Sequence, residues 1–544
     1  MKGNTAKITA IVILLILIVL CAFGFDRLSE EADNSEKSKK EKKIKIEYGD
    51  SYTFSENIVK PKDYYNTILE FDEENPKVIK AVECGECDVK LENGKTVKIF
   101  VEPARITLVL FAGQSNCEGR LASDETVEAV EEQVVLNEYM TAFGTYGVSD
   151  NNTSREVNWI ENPIDELSID NVDEYLPESL TDNSRNKIYN RTDILTENKT
   201  KVGKTGIDSA FAYEWYKKTG EKVWVINAAH HGSTIQSWMP TNGCIDNNYW
   251  QAVRLYQGAE KILSREIEDG HFVLAHKGII WCQGENNYRM SSGEYTSRFL
   301  EIFESFEQQL NGENIPNLNR ELDFCGIVIT RAALNKPDNG KLDFVLTGPR
   351  SSQFYMTTGE RYGKIMMASN IAENWSSDTS VNEYFTGKYG TDKDYNAAYP
   401  KVDSDVKLPA AIRDVHRGFH YTQLGYNEIG IDAAETIISR VCGKKNTKSA
   451  PEKVELVMED GLTDMSGRTA EIPIDKYVSF AVKVFPASMQ KDIEIKCSDN
   501  VVYDSKGLMI TGEGKENRVN GRIEVTVNGT SEIMNIIGVQ SRKD

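Results

Sequence analysis

A serine stands at the end of a near-continuous apolar run, where Ile106-Thr-Leu-Val-Leu-Phe111 passes into Ala112-Gly-Gln-Ser-Asn116. Such a run is what a parallel strand covered on both faces requires. Its end is the carboxyl edge of the sheet, where α/β folds bind ligands. A helix starting just after Ser115 would aim free backbone N–H groups at the same point, and Gly113 gives room for a tight turn. The pattern is not the GxSxG elbow, because the residue two after Ser115 is Cys117. Taken alone, Gly-Gln-Ser-Asn serves equally well as a helix cap. Three further segments add to it. Val225-Ile-Asn-Ala-Ala-His-His-Gly-Ser233 is a strand leading into a glycine loop, followed by Ile235-Gln-Ser-Trp-Met-Pro240. Trp281-Cys-Gln-Gly-Glu285 closes another strand, with Trp281 and Cys282 reading as core. His420-Tyr-Thr-Gln-Leu-Gly-Tyr-Asn-Glu-Ile-Gly430 comes late in the chain.

In this order the four segments resemble the SGNH hydrolases, specifically the sialate O-acetylesterase and acetylxylan esterase branch. That branch carries a GQSN motif, a glycine loop followed by a tryptophan, a WxQGE motif, and a late histidine before a Gly-Tyr helix. The resemblance implies Ser115 as nucleophile and His420 as its general base. It implies an oxyanion hole from the N–H groups of Ser115 and Gly232 with the side chain of Gln283. Gln114, Asn116 and Glu285 would support them, Glu285 by orienting neighbours. The chemistry is coherent: a serine hydroxyl needs an adjacent base with a pKa near working pH. A tetrahedral oxyanion needs preorganised donors, one of which can be worth about 10²–10³ in rate. No cofactor and no catalytic metal is implied. His230 and His231 read as substrate-facing or structural.

One departure concerns the acid of the triad. SGNH enzymes often place an aspartate three residues before the histidine, and here that position is Arg417. Asp414 lies six before His420, with His416 between. Either Asp414 reaches the imidazole from its loop, or a backbone carbonyl replaces it, or the pair is Asp414 with His416. The spacing from His420 to Gly425-Tyr426 fits the family better, which makes Ser115, His420 and Asp414 the expected catalytic set. The expected function is removal of O-acetyl groups from an extracellular carbohydrate. Acetyl transfer to a cell-surface glycan is an alternative, and so is a non-catalytic surface-binding protein that retains the fold.

Positioning such residues takes a sheet with covered faces. Val223–Ile226, Gly278–Trp281 and Gly326–Ile329 repeat the apolar strand pattern, separated by helical stretches at Ser209–Lys218, Trp250–Glu268 and Ser297–Leu310. That alternation predicts an α/β domain with right-handed crossovers. The resemblance makes it an SGNH-type, flavodoxin-like three-layer domain with a parallel sheet over 105–445. The polar, acidic span Leu121–Val202 reads as one large insertion. Short alternating strands fill 45–104, including Val78–Val82, Cys87–Leu91 and Val97–Val101, with a hairpin signal at Glu92-Asn-Gly-Lys95. The same grammar returns over 451–544, with strands at Val454–Val457, Val478–Val482, Ile493–Lys496 and Ile523–Val527. Turn signals there fall at Asp499-Asn500, Asn520-Gly521 and Asn528-Gly529. Both ends resemble bacterial immunoglobulin-like β-sandwich domains, which act as spacers or weak adhesion units.

The 544 residues exceed what one hydrophobic core usually organises. A net charge of -21 repels phosphates and excludes nucleic acid as a partner class. Nine cysteines in so long a chain are not a disulfide framework, and Cys84-Gly-Glu-Cys87 lacks the second ligand pair a zinc site needs. Lys2 and Lys7 precede an uncharged apolar stretch, Ile8–Phe25, that spans roughly 27 Å as a helix. Residues 1–25 therefore read as a signal anchor, with a cleaved signal peptide as the alternative. Residues 26–44 read as a charged linker. The expected location is the cell membrane, held by a single pass through this N-terminal helix with the catalytic domain outside, or secretion.

Overall fold

The computed structural model describes residues 43–60, 67–119, 140–144, 206–240, 247–313, 315–330, 333–335, 343–345, 348–358, 362–372, 416–417, 420–421, 423–443, 450–458, 465–478, 480–485, 487–489, 493–504, 507–512 and 517–540. The apolar stretch Ile8–Phe25, the charged segment after it and Asp414 lie outside them. Among the described residues, no helix is long and apolar enough to cross a membrane.

Six short strands come first: β1 (Lys43–Glu47), β2 (Ser51–Thr53), β3 (Leu69–Phe71), β4 (Val78–Ala81), β5 (Gly85–Lys90) and β6 (Thr96–Glu102). They form two three-stranded sheets around their own apolar cluster, in which Ile79 and Ile99 are fully buried. β5 and β6 pair antiparallel up to Lys90↔Thr96, so Glu92-Asn-Gly-Lys95 is a tight turn, with Gly94 at φ 83°. Cys84 and Cys87 are not joined in a disulfide.

The chain then enters a six-stranded parallel sheet with β7 (Ala104–Gly113) near its centre. The turn α1 (Ser115–Glu118) follows, then β8 (Met140–Gly144), α2 (Asp208–Thr219), β9 (Lys222–Asn227), α3 (Asn248–Glu268), β10 (Phe272–Cys282), α4 (Ser292–Gln309) and β11 (Phe324–Val328). A small hairpin, β12 (Ala333–Asn335) with β13 (Asp343–Val345), precedes α5 (Gly348–Thr357) and β14 (Ile365–Ser369). The strand order is β14-β11-β10-β7-β9-β8. From β7 the chain crosses to the edge strand β8, returns inward through β9, and then builds outward on the other side through β10, β11 and β14. β7 and β10 therefore flank the switch point, where the loops at the strand ends diverge and leave a crevice. The alternating buried pattern expected for these strands and helices is met, with strands longer than read. β8 was not expected: it lies in the span read as an insertion, and its five residues Met-Thr-Ala-Phe-Gly carry too weak a pattern to separate from loop.

α2 packs with α6 (Gln423–Val441) on one face, while α3 and α4 cover the other. Gly430 allows the α2–α6 approach, since a methyl group there would lie 2.4 Å from the Ile207 carbonyl oxygen. Trp215, Trp238 and Trp281 are fully buried in this core. At the amino ends of the strands, Glu221 collects donors from three elements. Arg105 Nη2 (2.6 Å), Thr107 Oγ1 (2.8 Å), Trp215 Nε1 (3.1 Å) and His276 Nδ1 (2.9 Å) all point at its carboxylate. Burial alone would raise its pKa, but the hydrogen bonds from His276, Thr107 and Trp215 outweigh it and hold the group at about 2. The N-terminal strands dock at this same end. Lys222 Nζ lies 2.7 Å from Asp50 Oδ1 and donates to the Tyr48 carbonyl, and His271 stacks on Tyr48 at 4.2 Å.

Between β14 and α6 lies a two-strand hairpin, β15 (His416–Arg417) and β16 (His420–Tyr421). After α6 come β17 (Lys453–Met458), β18 (Thr469–Pro473), β19 (Phe480–Phe485), β20 (Ile493–Cys497), β21 (Val501–Asp504), β22 (Gly507–Ile510), β23 (Arg518–Val527) and β24 (Thr530–Val539). The Asn528-Gly529 turn joins β23 to β24 with both residues at positive φ. Asn520-Gly521 is not a turn. It sits inside β23, paired with Ile537 and Ile536, and its glycine serves packing: a methyl group would lie 2.4 Å from Val501 Cγ2. β19, paired with β17 along its whole length, also touches the central domain. Val482 N–H donates to Thr358 Oγ1 (3.2 Å), Asn370 Nδ2 donates to the Val484 carbonyl (2.8 Å), and Lys483 Nζ lies 5.0 Å from the Phe354 ring centroid.

Candidate active site

The end of β7 is built on a close backbone approach. Gly113 (φ 155°) has room for no side chain, since a methyl group would lie 2.0 Å from the Cys282 carbonyl oxygen at the end of β10. Gln114 N–H donates to that same carbonyl at 3.0 Å. The chain then turns at once into α1, closed by the left-handed Gly119, whose N–H donates to the Ser115 carbonyl at 3.1 Å. Gln114, Asn116, Cys117 and Glu118 are buried, whereas Ser115 is half-buried. The turn thus offers its serine, and not its other polar groups, to the crevice.

Three loops are tied to this turn. The first follows β9: His230 N–H (3.0 Å) and Ser233 Oγ (3.1 Å) both donate to the Gly113 carbonyl, and Trp238 Nε1 donates to Ser233 Oγ at 3.1 Å. Between them Gly232 holds φ 70°. His231 Nδ1 lies 3.5 Å from the buried Glu118 Oε2, so this loop also meets the far end of α1. Buried Asn227 donates to the Cys117 carbonyl (3.2 Å) and to Asp208 (3.0 Å).

The second loop follows β10. Gln114 Oε1 accepts from Gln283 Nε2, Gly284 N–H and Asn286 N–H, each at 3.3 Å. Asn116 Nδ2 donates to Glu285 Oε1 at 2.9 Å. Gln283 is fully buried, and its Nε2 also faces Asn287 Oδ1 (2.7 Å) and the Ser233 carbonyl (3.3 Å). Tyr295 OH donates to its Oε1 at 2.9 Å. A substrate oxygen would have to compete with those acceptors for the two N–H bonds of this amide, a geometry that suits bracing the loops. Cys282 beneath them is pushed well above the usual thiol range by its hydrogen bond with Cys117 and by burial, so it stays a neutral, inert thiol.

The third element is the hairpin. β16, which carries His420, lies against α1, so the structure brings the His420 and Ser115 segments together. Arg417 is the cross-strand partner of His420, and His416 that of Tyr421. Tyr426 OH, from α6, donates to Asn116 Oδ1 at 3.0 Å and ties the helix after the histidine to the residue after the serine. Sequence reasoning singled out neither Asn287, Tyr295, Gln353 (whose Nε2 donates to the Gln283 carbonyl at 2.9 Å) nor the Glu118–His231 contact. The adjacency of Asn287 to Trp281-Cys-Gln-Gly-Glu285 was the one signal available. Among the described residues, no group of His, Cys, Asp and Glu side chains is arranged to hold a metal.

A part-exposed serine starting a turn, a glycine loop beside it and a histidine-bearing strand against it are the parts that acyl transfer uses. Residues 105–336 match the family model described as carbohydrate esterase, sialic acid-specific acetylesterase. This stretch of the chain is similar to that carbohydrate acetylesterase family. Among curated proteins none matches it. Similar solved structures include a protein from Arabidopsis thaliana (13% identity, 62% of this chain and 99% of that one, TM-score 0.32). A carbohydrate acetylesterase from Xanthomonas citri shares 14% identity over 90% of this chain and 94% of its own, with TM-score 0.33. NanS shares 11% over 63% and 100%, with TM-score 0.33. The matched segment begins with β7 and ends just past β12, and so contains α1, the Gly232 loop and the Gln283 loop.

Proposed function

We propose that the protein is an acetylesterase that works through an acyl-enzyme at Ser115, releasing acetate from an O-acetylated carbohydrate outside the cell. The observation that carries the reading is the placement of the half-buried Ser115 at the carboxyl end of β7, with the His420 strand against the same turn. Ser115 Oγ attacks the acetyl carbonyl while His420 takes its proton. The oxyanion sits against the N–H groups of Ser115 and Gly232. Collapse expels the sugar oxygen, which receives the proton from His420. Water, deprotonated by His420, then attacks the acyl-enzyme, releasing acetate and restoring the serine. Gln283, whose amide also borders this site, acts mainly by holding Gln114 and Asn287 in place. Asp414 is proposed to orient His420, since Arg417 occupies the position where the family often has its acid. The domain is proposed to be SGNH-type, with immunoglobulin-like modules as spacers at both ends and the Ile8–Phe25 stretch as anchor.

Acetate release from a panel of acetylated glycans tests the reading, together with 4-nitrophenyl acetate hydrolysis and fluorophosphonate labelling. Ser115→Ala should abolish turnover and labelling with the fold intact. A folded Ser115→Ala protein that kept near-normal turnover would refute the acyl-enzyme.

A further inference from the structure

The loop after β9 contains a peptide that turn chemistry alone leaves able to face either way. Ser233 N–H donates to the His230 carbonyl at 3.2 Å, which makes 230–233 a four-residue turn. Its central peptide joins the His231 carbonyl to the Gly232 N–H, one of the two backbone donors assigned to the oxyanion. Gly232 holds φ 70°, and among the described residues His231 is not one of the non-glycine positions at positive φ. That combination defines a type II turn. Type I and type II turns share their end residues and differ by roughly a half-rotation of the central peptide. A flip would turn the Gly232 N–H away from the site and leave the flanking backbone in place. Glycine tolerates both states, because either sign of φ is open to it. Nor does crowding choose between them: the nearest atom to a Cβ on Gly232 would be Asn286 Nδ2, at 3.9 Å.

The two ends of the turn are pinned to the Gly113 carbonyl, by His230 N–H at 3.0 Å and by Ser233 Oγ at 3.1 Å. Neither bond reaches the central peptide. A third contact does: His230 Nδ1 lies 3.0 Å from the His231 carbonyl oxygen. Two lone pairs would repel at that distance, so the ring carries a proton on Nδ1 and donates it to the carbonyl. A trans peptide sets its C=O and N–H on opposite sides. Holding the carbonyl against the His230 ring therefore holds the Gly232 N–H on the far side. The His231 ring stacks on that of His230 with centroids 5.1 Å apart, and its Nδ1 lies 3.5 Å from Glu118 Oε2. The middle of the turn is thus gripped by its carbonyl and by its side chain.

We propose that His230 is a positioning residue for ester hydrolysis: by donating from Nδ1 to the His231 carbonyl, it keeps the Gly232 N–H aimed at the oxyanion. This rests on the acyl-enzyme reading above and names what keeps one of its two backbone donors in place. Such a donor is effective because it is aimed before charge develops and need not reorganise during the step. Its partner is the oxyanion more than the neutral ester carbonyl, so the tie acts on kcat and spares KM.

The test measures kcat and KM on 4-nitrophenyl acetate for the wild type, His230→Phe, His230→Asn and Gly232→Ala. Phenylalanine keeps a flat ring against His231 and removes the donor, whereas asparagine restores an N–H near the Nδ1 position. Alanine at 232 has room for its methyl group but disfavours positive φ, and so favours the flipped turn. His230→Phe should lower kcat about 10-fold with KM within about twofold, as loss of one hydrogen bond shifts a two-state balance. His230→Asn should stay within about threefold of wild type. Gly232→Ala should lower kcat about 100-fold, the effect of losing a whole donor. Nitrogen-15 spectra of the histidine-labelled chain read the tie without substrate. Of the six histidines, the ring whose signals vanish in His230→Phe should carry its proton on Nδ1. A bare Nδ1 there, or wild-type kcat in His230→Phe, overturns the positioning role and leaves the esterase reading intact. So does a loss that appears in KM, or one that asparagine fails to restore. A wild type inactive on every ester removes the acyl-enzyme reading, and the positioning role with it.

Discussion

Gly113→Ala tests whether the β7–β10 approach is what aims the nucleophile. The added methyl would start 2.0 Å from the Cys282 carbonyl oxygen and 2.6 Å from its carbon, whereas real contacts do not fall below 3.0 Å. Opening the nearer contact to that limit requires a displacement of about 1 Å. Neither atom can yield cheaply, because both belong to backbone held in a parallel ladder that pairs Gly113 with Cys282. The shift must pass along the chain to Ser115, two residues on, through the Gln114 N–H bond to the same carbonyl. A misplacement of about 1 Å can cost on the order of 10² in rate. Overpacking of this kind destabilises by about 1–3 kcal/mol, small enough for the variant to be purified. Acetate release and the second-order rate of fluorophosphonate labelling should therefore fall together by about 100-fold, with circular dichroism unchanged. If a folded Gly113→Ala protein labelled within about threefold of wild type, the nucleophile would not depend on this contact and the argument would fail.

Glu221→Gln should lower stability by about 3–5 kcal/mol, because one amide cannot accept from the four donors gathered there; thermal unfolding should drop by roughly 6–20 °C. The carboxylate's folded pKa, about 2, lies below its ordinary 4.5, so its contribution is in force above pH 4.5 and is lost as pH falls toward 2. Acid titration of unfolding should show that loss in the wild type and not in Glu221→Gln. His271 behaves in the opposite sense: burial alone would lower its pKa, but Glu266 and Glu83 outweigh it and raise it above 6.5. The docking of the N-terminal strands through His271 is thus strongest below pH 6.5 and weakens as pH rises through the raised value. Hydrogen exchange around Tyr48 should quicken on that rise in wild type, and lose its pH dependence in His271→Gln. His420→Ala should lose nearly all esterase activity and His416→Ala only part, with Asp414→Asn between; steady-state rates in the reverse order would move the base to His416. External protease on intact cells should release an active fragment by cutting after Asp26, and full protection until lysis would contradict export.

What the chain declares in one dimension is periodicity. β7, β9, β10 and β11 are largely apolar, and α2, α3 and α4 repeat at helical spacing, so these were legible with errors of up to six residues at their ends, the largest at the start of β10. β8 was not, because an edge strand paired on one side needs little apolar pattern. Asn520-Gly521 misled because glycine marks turns and close approaches alike, and only the neighbour, Val501, tells them apart. The motifs at Ser115, Gly232, Gln283 and His420 were visible as residue types. Their wiring was not: the Tyr426–Asn116 hydrogen bond joins positions 310 apart in sequence. The burial of Gln283, and the acceptors around its amide, likewise belong to three dimensions.

The bonds from β19 to Thr358 and Asn370 bear on how small a working enzyme can be. A fragment ended in the link after Cys442 would keep every motif yet strip the donor and acceptor partners from two buried polar side chains, and bare the side of α5 on which Phe354 meets Lys483. α5 also supplies Gln353, whose amide holds the Gln283 carbonyl. Trimming the C-terminus thus loosens, through a single helix, the loop that borders the serine. The shortest autonomous catalyst is consequently longer than its motif-bearing stretch, and it extends at least through the strand Phe480–Phe485.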